Sequence, residues 1–148
     1  MDKALVVTEP SESAKELTRE AGELAAGVGA ELVVLHVTTD EEYEKNREQL
    51  QKVTGQSDAY GVSQARDGAR QFADNVAHEV LGDLDVQYDP VGVVGDARDE
   101  ILDLARQRNC DYIFLTGESR SPAGKALFGD TAQSVILNFE GTVVAHTE

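Results

Sequence analysis

The chain alternates short, continuous apolar runs with longer segments whose apolar residues recur every three or four positions. The runs at 3–7, 31–37 and 112–115 are rich in valine, leucine and isoleucine, which is typical of strands buried on both faces. The segments at 14–28 and 97–108 have the period of amphipathic helices. Because parallel strands need a crossover connection, this alternation predicts a doubly wound α/β fold, with a parallel sheet covered by helices on both faces.

Weaker signals complete the pattern. We expect further strands at 86–94 and 142–145, further helices at 62–80 and 130–139, and a solvated helix or excursion in the highly charged stretch 40–61. Pro90 favours an edge position for its strand, because proline cannot donate a ladder hydrogen bond. Ser13 and Glu16 have the spacing of a capping box at the start of the first helix, and Gly29 can end it. No repeat or linker divides the chain, so residues 1–148 are expected to form one domain.

The composition excludes several classes of protein. With 28 acidic and 13 basic residues, the formal charge is −15, and no basic stripe is available for nucleic acid. The single cysteine, Cys110, excludes a disulfide framework and a cysteine-based zinc cluster. No apolar run approaches the roughly 20 residues of a membrane span, so we expect a cytoplasmic protein. The excess of acidic side chains destabilises the compact state through mutual repulsion. At molar salt the Debye length falls to about 3 Å, so most of this repulsion is screened. We therefore hypothesise a halophilic source.

Two loops are candidates for a ligand site, because open α/β sheets bind ligands at the carboxyl ends of their strands. The first is Thr8 to Ser11, after the first strand, and the second is Thr116 to Asp130, after the fourth. The second loop holds three glycines and the cations Arg120 and Lys125, which suit a phosphate chain. The alternative is a surface loop whose cations offset nearby carboxylates. Neither a Walker A motif nor GxGxxG occurs.

Short motifs at the strand ends are more specific. They are Leu35-His36-Val37, Gly95-Asp96-Ala97, Asp111-Tyr112-Ile113, and Gly117 followed by the Gly129-Asp130 pair. In these motifs the chain resembles the universal stress protein family from end to end. The stretch Ser-Pro-Ala-Gly-Lys-Ala-Leu-Phe-Gly at 121–129 is similar to a haloarchaeal, single-domain branch of that family.

The resemblance implies a sheet order of 3-2-1-4-5, in an adenine-nucleotide alpha-hydrolase-like fold. It also implies a homodimer through the last strand, Thr142 to Ala145, and binding of ATP or another adenine nucleotide. Glu9 then stands at the ribose and Val37 at the adenine. Backbone atoms that line the phosphates come from Thr116, Gly117 and Gly129. The other nucleotide-binding candidates are Thr8, Ser119, Arg120, Gly124, Lys125, Asp130 and Thr131.

The chain departs from the family pattern at three places. In the glycine loop, Arg120 lies near the position of the family's second glycine, and the loop is one residue shorter. Glu9-Pro10-Ser11 replaces the usual Asp-Gly-Ser, so a longer acid must fit and Pro10 lacks an N–H. Asp130 replaces a serine or threonine, and Gln133 gives it the spacing of a capping box. We expect Asp130 to cap its helix, fill the anion site and repel a triphosphate. A Mg²⁺ ion bound by Asp130 would instead turn this repulsion into attraction.

Nothing in the sequence indicates a catalytic or metal site. His36 lies in an apolar run and is interpreted as a satisfied histidine, and Cys110 has no cationic neighbour in sequence that would stabilise a thiolate. The serines lack a GxSxG elbow. We therefore expect a non-enzymatic protein, and the resemblance implies that it is a stress-response module. Two alternatives stay open: a nucleotide-independent interaction scaffold, and a weak ATP hydrolase.

Overall fold

The structure is a computed structural model that describes residues 1–55, 61–117 and 129–147, without the side chain of Thr54. Five strands and five helices follow one another in these ranges. They are β1 (Lys3–Val7), α1 (Glu12–Val28), β2 (Glu31–Thr38), α2 (Asp40–Thr54), α3 (Val62–Leu81), β3 (Tyr88–Val94), α4 (Ala97–Gln107), β4 (Tyr112–Thr116), α5 (Asp130–Asn138) and β5 (Thr142–His146).

All five strands are parallel, and their order is β3-β2-β1-β4-β5. The doubly wound fold and the order 3-2-1-4-5 are therefore confirmed. Val6 of β1 pairs with Val34 on one side and with Phe114 on the other, so the three apolar runs form the centre of the sheet. Pro90 lies on the edge strand β3, as its missing N–H predicts.

Alternation along each central strand builds two cores, one on each face of the sheet. Leu5 and Val7 face α4 and α5, whereas Ala4 and Val6 face α1 and α3. This two-sided burial explains why the strands read as continuous apolar runs. It also fixes which helices cover each face where the strands end.

A carboxylate at the start of β4 fixes that strand to the start of β1. Asp111 accepts hydrogen bonds from the backbone N–H groups of Asp2 and Lys3, each at 3.1 Å. Burial alone would raise the pKa of Asp111, but these N–H groups outweigh it and hold the pKa below its usual value. The bonds pin β4 beside β1, where the order of the sheet reverses.

The helix boundaries correct one expectation and confirm another. The N-cap of α1 is Ser11, whose hydroxyl accepts a hydrogen bond from the N–H of Ala14 at 3.1 Å. The capping box predicted at Ser13 and Glu16 is therefore wrong. Gly29 ends α1 in the left-handed conformation, as expected.

Other bounds shift by one or two residues. β3 begins at Tyr88 instead of Val86, and β5 extends to His146. The charged stretch after β2 forms the 15-residue helix α2. Among the helices that the structure describes, none is long and apolar enough to span a membrane.

Candidate functional site

A cleft of about 540 Å³ opens at the carboxyl ends of β1, β2 and β4. Its walls come from the segments that leave these strands and from the first turns of α2, α4 and α5. The lining residues are Val7, Glu9, Pro10, Ser11, His36, Val37, Thr39, Glu42, Ala97, Ile101, Leu115, Thr116, Thr131 and Ala132. The cleft therefore lies where an open parallel sheet binds its ligands.

The floor of the cleft is apolar. Val7 is the last residue of β1, and Val37 and Leu115 lie one residue before the ends of β2 and β4. Ile101 and Ala132 come from the helices above that face. All five side chains are buried in the core, so the floor is held rigidly. A floor of this kind suits a flat, mostly apolar group such as a nucleobase.

The segment after β1 is fixed by backbone and cap bonds. The N–H of Thr8 donates to the carbonyl of Leu35 at 2.8 Å, which extends the pairing past the end of the strand. The Thr8 side chain is fully buried, and its hydroxyl has no partner among the described residues. Thr8 is not part of the described lining, whereas Glu9, Pro10 and Ser11 are.

His36, near the end of β2, has a structural role. The Nδ1 atom of His36 lies 2.9 Å from the carbonyl oxygen of Thr8. Since a carbonyl only accepts, this nitrogen of His36 must donate. The ring also packs on Phe72 of α3, with centroids 4.5 Å apart. These contacts agree with the interpretation of His36 as a satisfied histidine.

Thr39 and Glu42 are among the lining residues that were not predicted from sequence. Thr39 caps α2, and its hydroxyl accepts a hydrogen bond from the N–H of Glu42 at 3.2 Å. The cap brings Glu42 to the cleft, although sequence analysis treated this stretch as solvated. The available signal was Thr39, two residues after the apolar run ends at Val37 and followed by three acids, which is typical of a helix start.

Some of the described residues on either side of the glycine loop line the cleft. Thr116 and Thr131 line it, as expected. The N–H of Gly117 donates to the carbonyl of His146 at 2.7 Å. This N–H therefore takes part in the pairing of β4 with β5 and is not directed at a phosphate. Four predicted phosphate-site residues lie outside the described residues: Ser119, Arg120, Gly124 and Lys125.

Asp130 does not cap α5. The N-cap is Gly129, whose carbonyl accepts from the N–H of Gln133, and Asp130 is the first helical residue, in the exposed first turn. The expected capping box at Asp130 is therefore wrong, because the helix begins one residue earlier than that spacing requires. A carboxylate in a first turn is still favoured there by the helix dipole.

Within the described ranges, the cleft has a negative lining. Glu9 and Glu42 contribute carboxylates, and the described lining holds no lysine or arginine. The described residues also contain no group of three or more histidine, cysteine or acidic side chains placed to hold a metal ion. These walls suit the uncharged part of a ligand better than a phosphate chain.

The fold and the cleft define the chain as a doubly wound α/β protein with a ligand-type crevice at its strand ends. It belongs to the universal stress protein family, whose family model matches residues 1–145. No curated protein is significantly similar in sequence.

Solved structures share the fold at low identity. A universal stress protein from Archaeoglobus fulgidus is 22% identical with a TM-score of 0.65, and the match covers 98% of this chain and 97% of that one. A universal stress protein in complex with cAMP is 18% identical, with a TM-score of 0.65 and coverage of 98% and 96%. A universal stress protein from Archaeoglobus fulgidus in complex with dAMP is 19% identical, with a TM-score of 0.59 and coverage of 98% and 96%.

Proposed function

We propose that this chain is a stress-response module that binds an adenine nucleotide in the cleft at the ends of β1, β2 and β4. The observation that carries the proposal is the apolar floor at the carboxyl edge of the sheet, walled by Glu9 and Glu42. Members of the same fold in complex with cAMP and dAMP support an adenine ligand. The carboxylates, together with Asp130 at the start of α5, favour a monophosphate over a triphosphate.

Calorimetric titration in molar KCl is expected to show AMP binding at least tenfold tighter than Mg·ATP, because a triphosphate adds negative charge near three carboxylates. Ala97→Phe should abolish both, since Ala97 lines the cleft and a phenyl ring there would occupy it. Arg98→Phe is the matched control, because Arg98 is exposed and does not line the cleft. Absence of heat with either nucleotide would refute the proposal and favour the nucleotide-independent scaffold.

We propose binding without turnover. Two lining groups that could act chemically already serve the fold: the Ser11 hydroxyl caps α1, and the His36 Nδ1 bonds to Thr8. Phosphate release from ATP under single-turnover conditions would identify the hydrolase alternative instead.

We also propose that two copies pair through β5. Its outer edge pairs with no strand of the described chain, and Ile136 and Leu137 of the adjacent helix α5 are 41% and 76% exposed. An uncovered apolar edge strand can pair with a strand of another chain. A two-fold axis would place the β5 strands of two copies side by side.

Ala145→Pro is expected to convert a dimer into a monomer at micromolar concentration, as measured by light scattering in molar KCl. The N–H of Thr142 and the carbonyl of His146 both face the β4 side. By the alternation of a parallel ladder, the N–H of Ala145 therefore points outward. Proline removes that donor without breaking a bond to β4.

Ala145→Ser keeps the N–H and should stay dimeric. A monomeric wild type would refute the dimer, and a dimeric Ala145→Pro variant would place the contact on another surface.

A cytoplasmic location in a halophilic cell completes the proposal. Its support is the net charge of −15, spread over the whole chain instead of being gathered in a tail.

A further inference from the structure

Helix α2 is attached to the rest of the protein by a narrow stripe. Of its residues with described side chains, only Tyr43, Arg47 and Leu50 are partly buried, and none is fully buried. These positions are spaced by three and four, so they lie along one line of the helix. Val53, near the end of α2, is 84% exposed. Core packing therefore contributes little to the placement of this helix.

Its first turn is nevertheless fixed to the end of β2. The Thr39 cap bonds the N–H of Glu42, and the N–H of Tyr43 donates to the carbonyl of Thr39 at 2.9 Å. One turn later, Asn46 lines a neighbouring cavity of about 280 Å³, which shares Pro10 and His36 with the main cleft. The helix thus runs along the rims of both cavities, with Glu42 on the main cleft.

The Glu42 carboxylate makes no hydrogen bond or ion pair with the residues that the structure describes. A carboxylate can only accept hydrogen bonds, and this one lies at the edge of a cleft with an apolar floor. Vicinal hydroxyls satisfy such a group well, since each O–H can donate to a carboxylate oxygen and no charge is repelled. A phosphate at the same place would be repelled.

We infer that Glu42 is a specificity-determining residue that accepts hydrogen bonds from the ribose 2′- and 3′-hydroxyls. It makes the cleft select ribonucleotides over 2′-deoxyribonucleotides. This inference rests on the proposed function, and it adds a residue from α2 to the Glu9 site after β1. It also sets this chain apart from the fold relative that was solved with dAMP.

Titration with AMP and 2′-deoxy-AMP in molar KCl tests the inference. Wild type is expected to bind AMP about tenfold tighter, because a hydrogen bond to a charged group is lost with the 2′-hydroxyl. In Glu42→Gln the AMP affinity should fall towards that of 2′-deoxy-AMP, while the 2′-deoxy-AMP affinity stays the same or rises. Glu41→Gln is the matched control, since it makes the same charge change in the same turn of α2 without lining the cleft.

The outcomes separate the two claims. Equal affinities for the two nucleotides in wild type, or a ratio unchanged in Glu42→Gln, would overturn the role of Glu42 and leave nucleotide binding intact. A loss of selectivity in Glu41→Gln as large as in Glu42→Gln would assign the effect to the charge of α2 and also overturn it. If wild type binds neither nucleotide, the proposed function fails, and the inference fails with it.

Discussion

Gly92→Ala is expected to lower the free energy of unfolding by about 3 kcal/mol, at the upper end of the cost of overpacking. Gly92 lies on β3 against the backbone of α3. A Cβ atom there would lie 2.5 Å from the carbonyl oxygen of Arg66 and 2.6 Å from the carbonyl carbon of Ala69, and it would also clash with the amide nitrogen of Arg70. All three atoms are helix backbone, so no rotamer change relieves the clash and α3 must move off the sheet. Urea denaturation measures the loss.

Gly27→Ala is the control. Gly27 lies inside α1, and an added Cβ would meet nothing within 4 Å. Alanine should stabilise the helix there by roughly 0.5–1 kcal/mol, because it reduces the backbone entropy of the unfolded chain. A Gly92→Ala variant as stable as wild type would show that α3 can separate from β3 at little cost.

The sheet could be predicted from sequence because its central strands are buried on both faces. Two-sided burial forces residues such as Val6 and Val34 to be apolar, and such runs stand out against amphipathic helices. The cap of α1 was harder to predict. Ser13 has Glu16 three residues later, the spacing of a capping box, whereas Ser11 has Ala14 there. The helix nevertheless begins after Ser11, because its start depends on where the chain leaves β1, which local sequence does not encode.

The candidate site was predictable where it consists of strand ends. Glu9, Val37 and Thr116 follow from the rule that places ligands at the carboxyl edge, together with the resemblance to a known family. Glu42 did not follow, because an exposed helix gives no pattern of burial that would reveal which surface it approaches. The Thr39 cap is local and leaves a signal in the sequence, but which surface the capped helix then approaches depends on tertiary packing.

The thermal midpoint is expected to rise by on the order of 10 °C between about 50 mM and about 1 M KCl. The cause is the net charge of −15, from 28 acidic and 13 basic residues. Folding brings these like charges closer together than they are in the unfolded chain, so self-repulsion lowers stability at low salt. Over this range the Debye length falls from more than 10 Å to about 3 Å, and the repulsion is screened. Differential scanning calorimetry at pH 7 measures the midpoint.

The shape of the salt dependence separates screening from general salting-out. Screening saturates, so most of the rise should occur below roughly 0.5 M KCl, whereas exclusion of salt from apolar surface would continue to act above it. The same titration near the isoelectric point that the composition gives, about pH 4.4, should show a much smaller rise, because the net charge there is close to zero. A midpoint that does not change with KCl at pH 7 would contradict the proposal of a halophilic source. The acidic composition would then have to serve solubility alone, with its repulsion already offset by ion pairs such as those of Arg19 with Glu23 and Asp83.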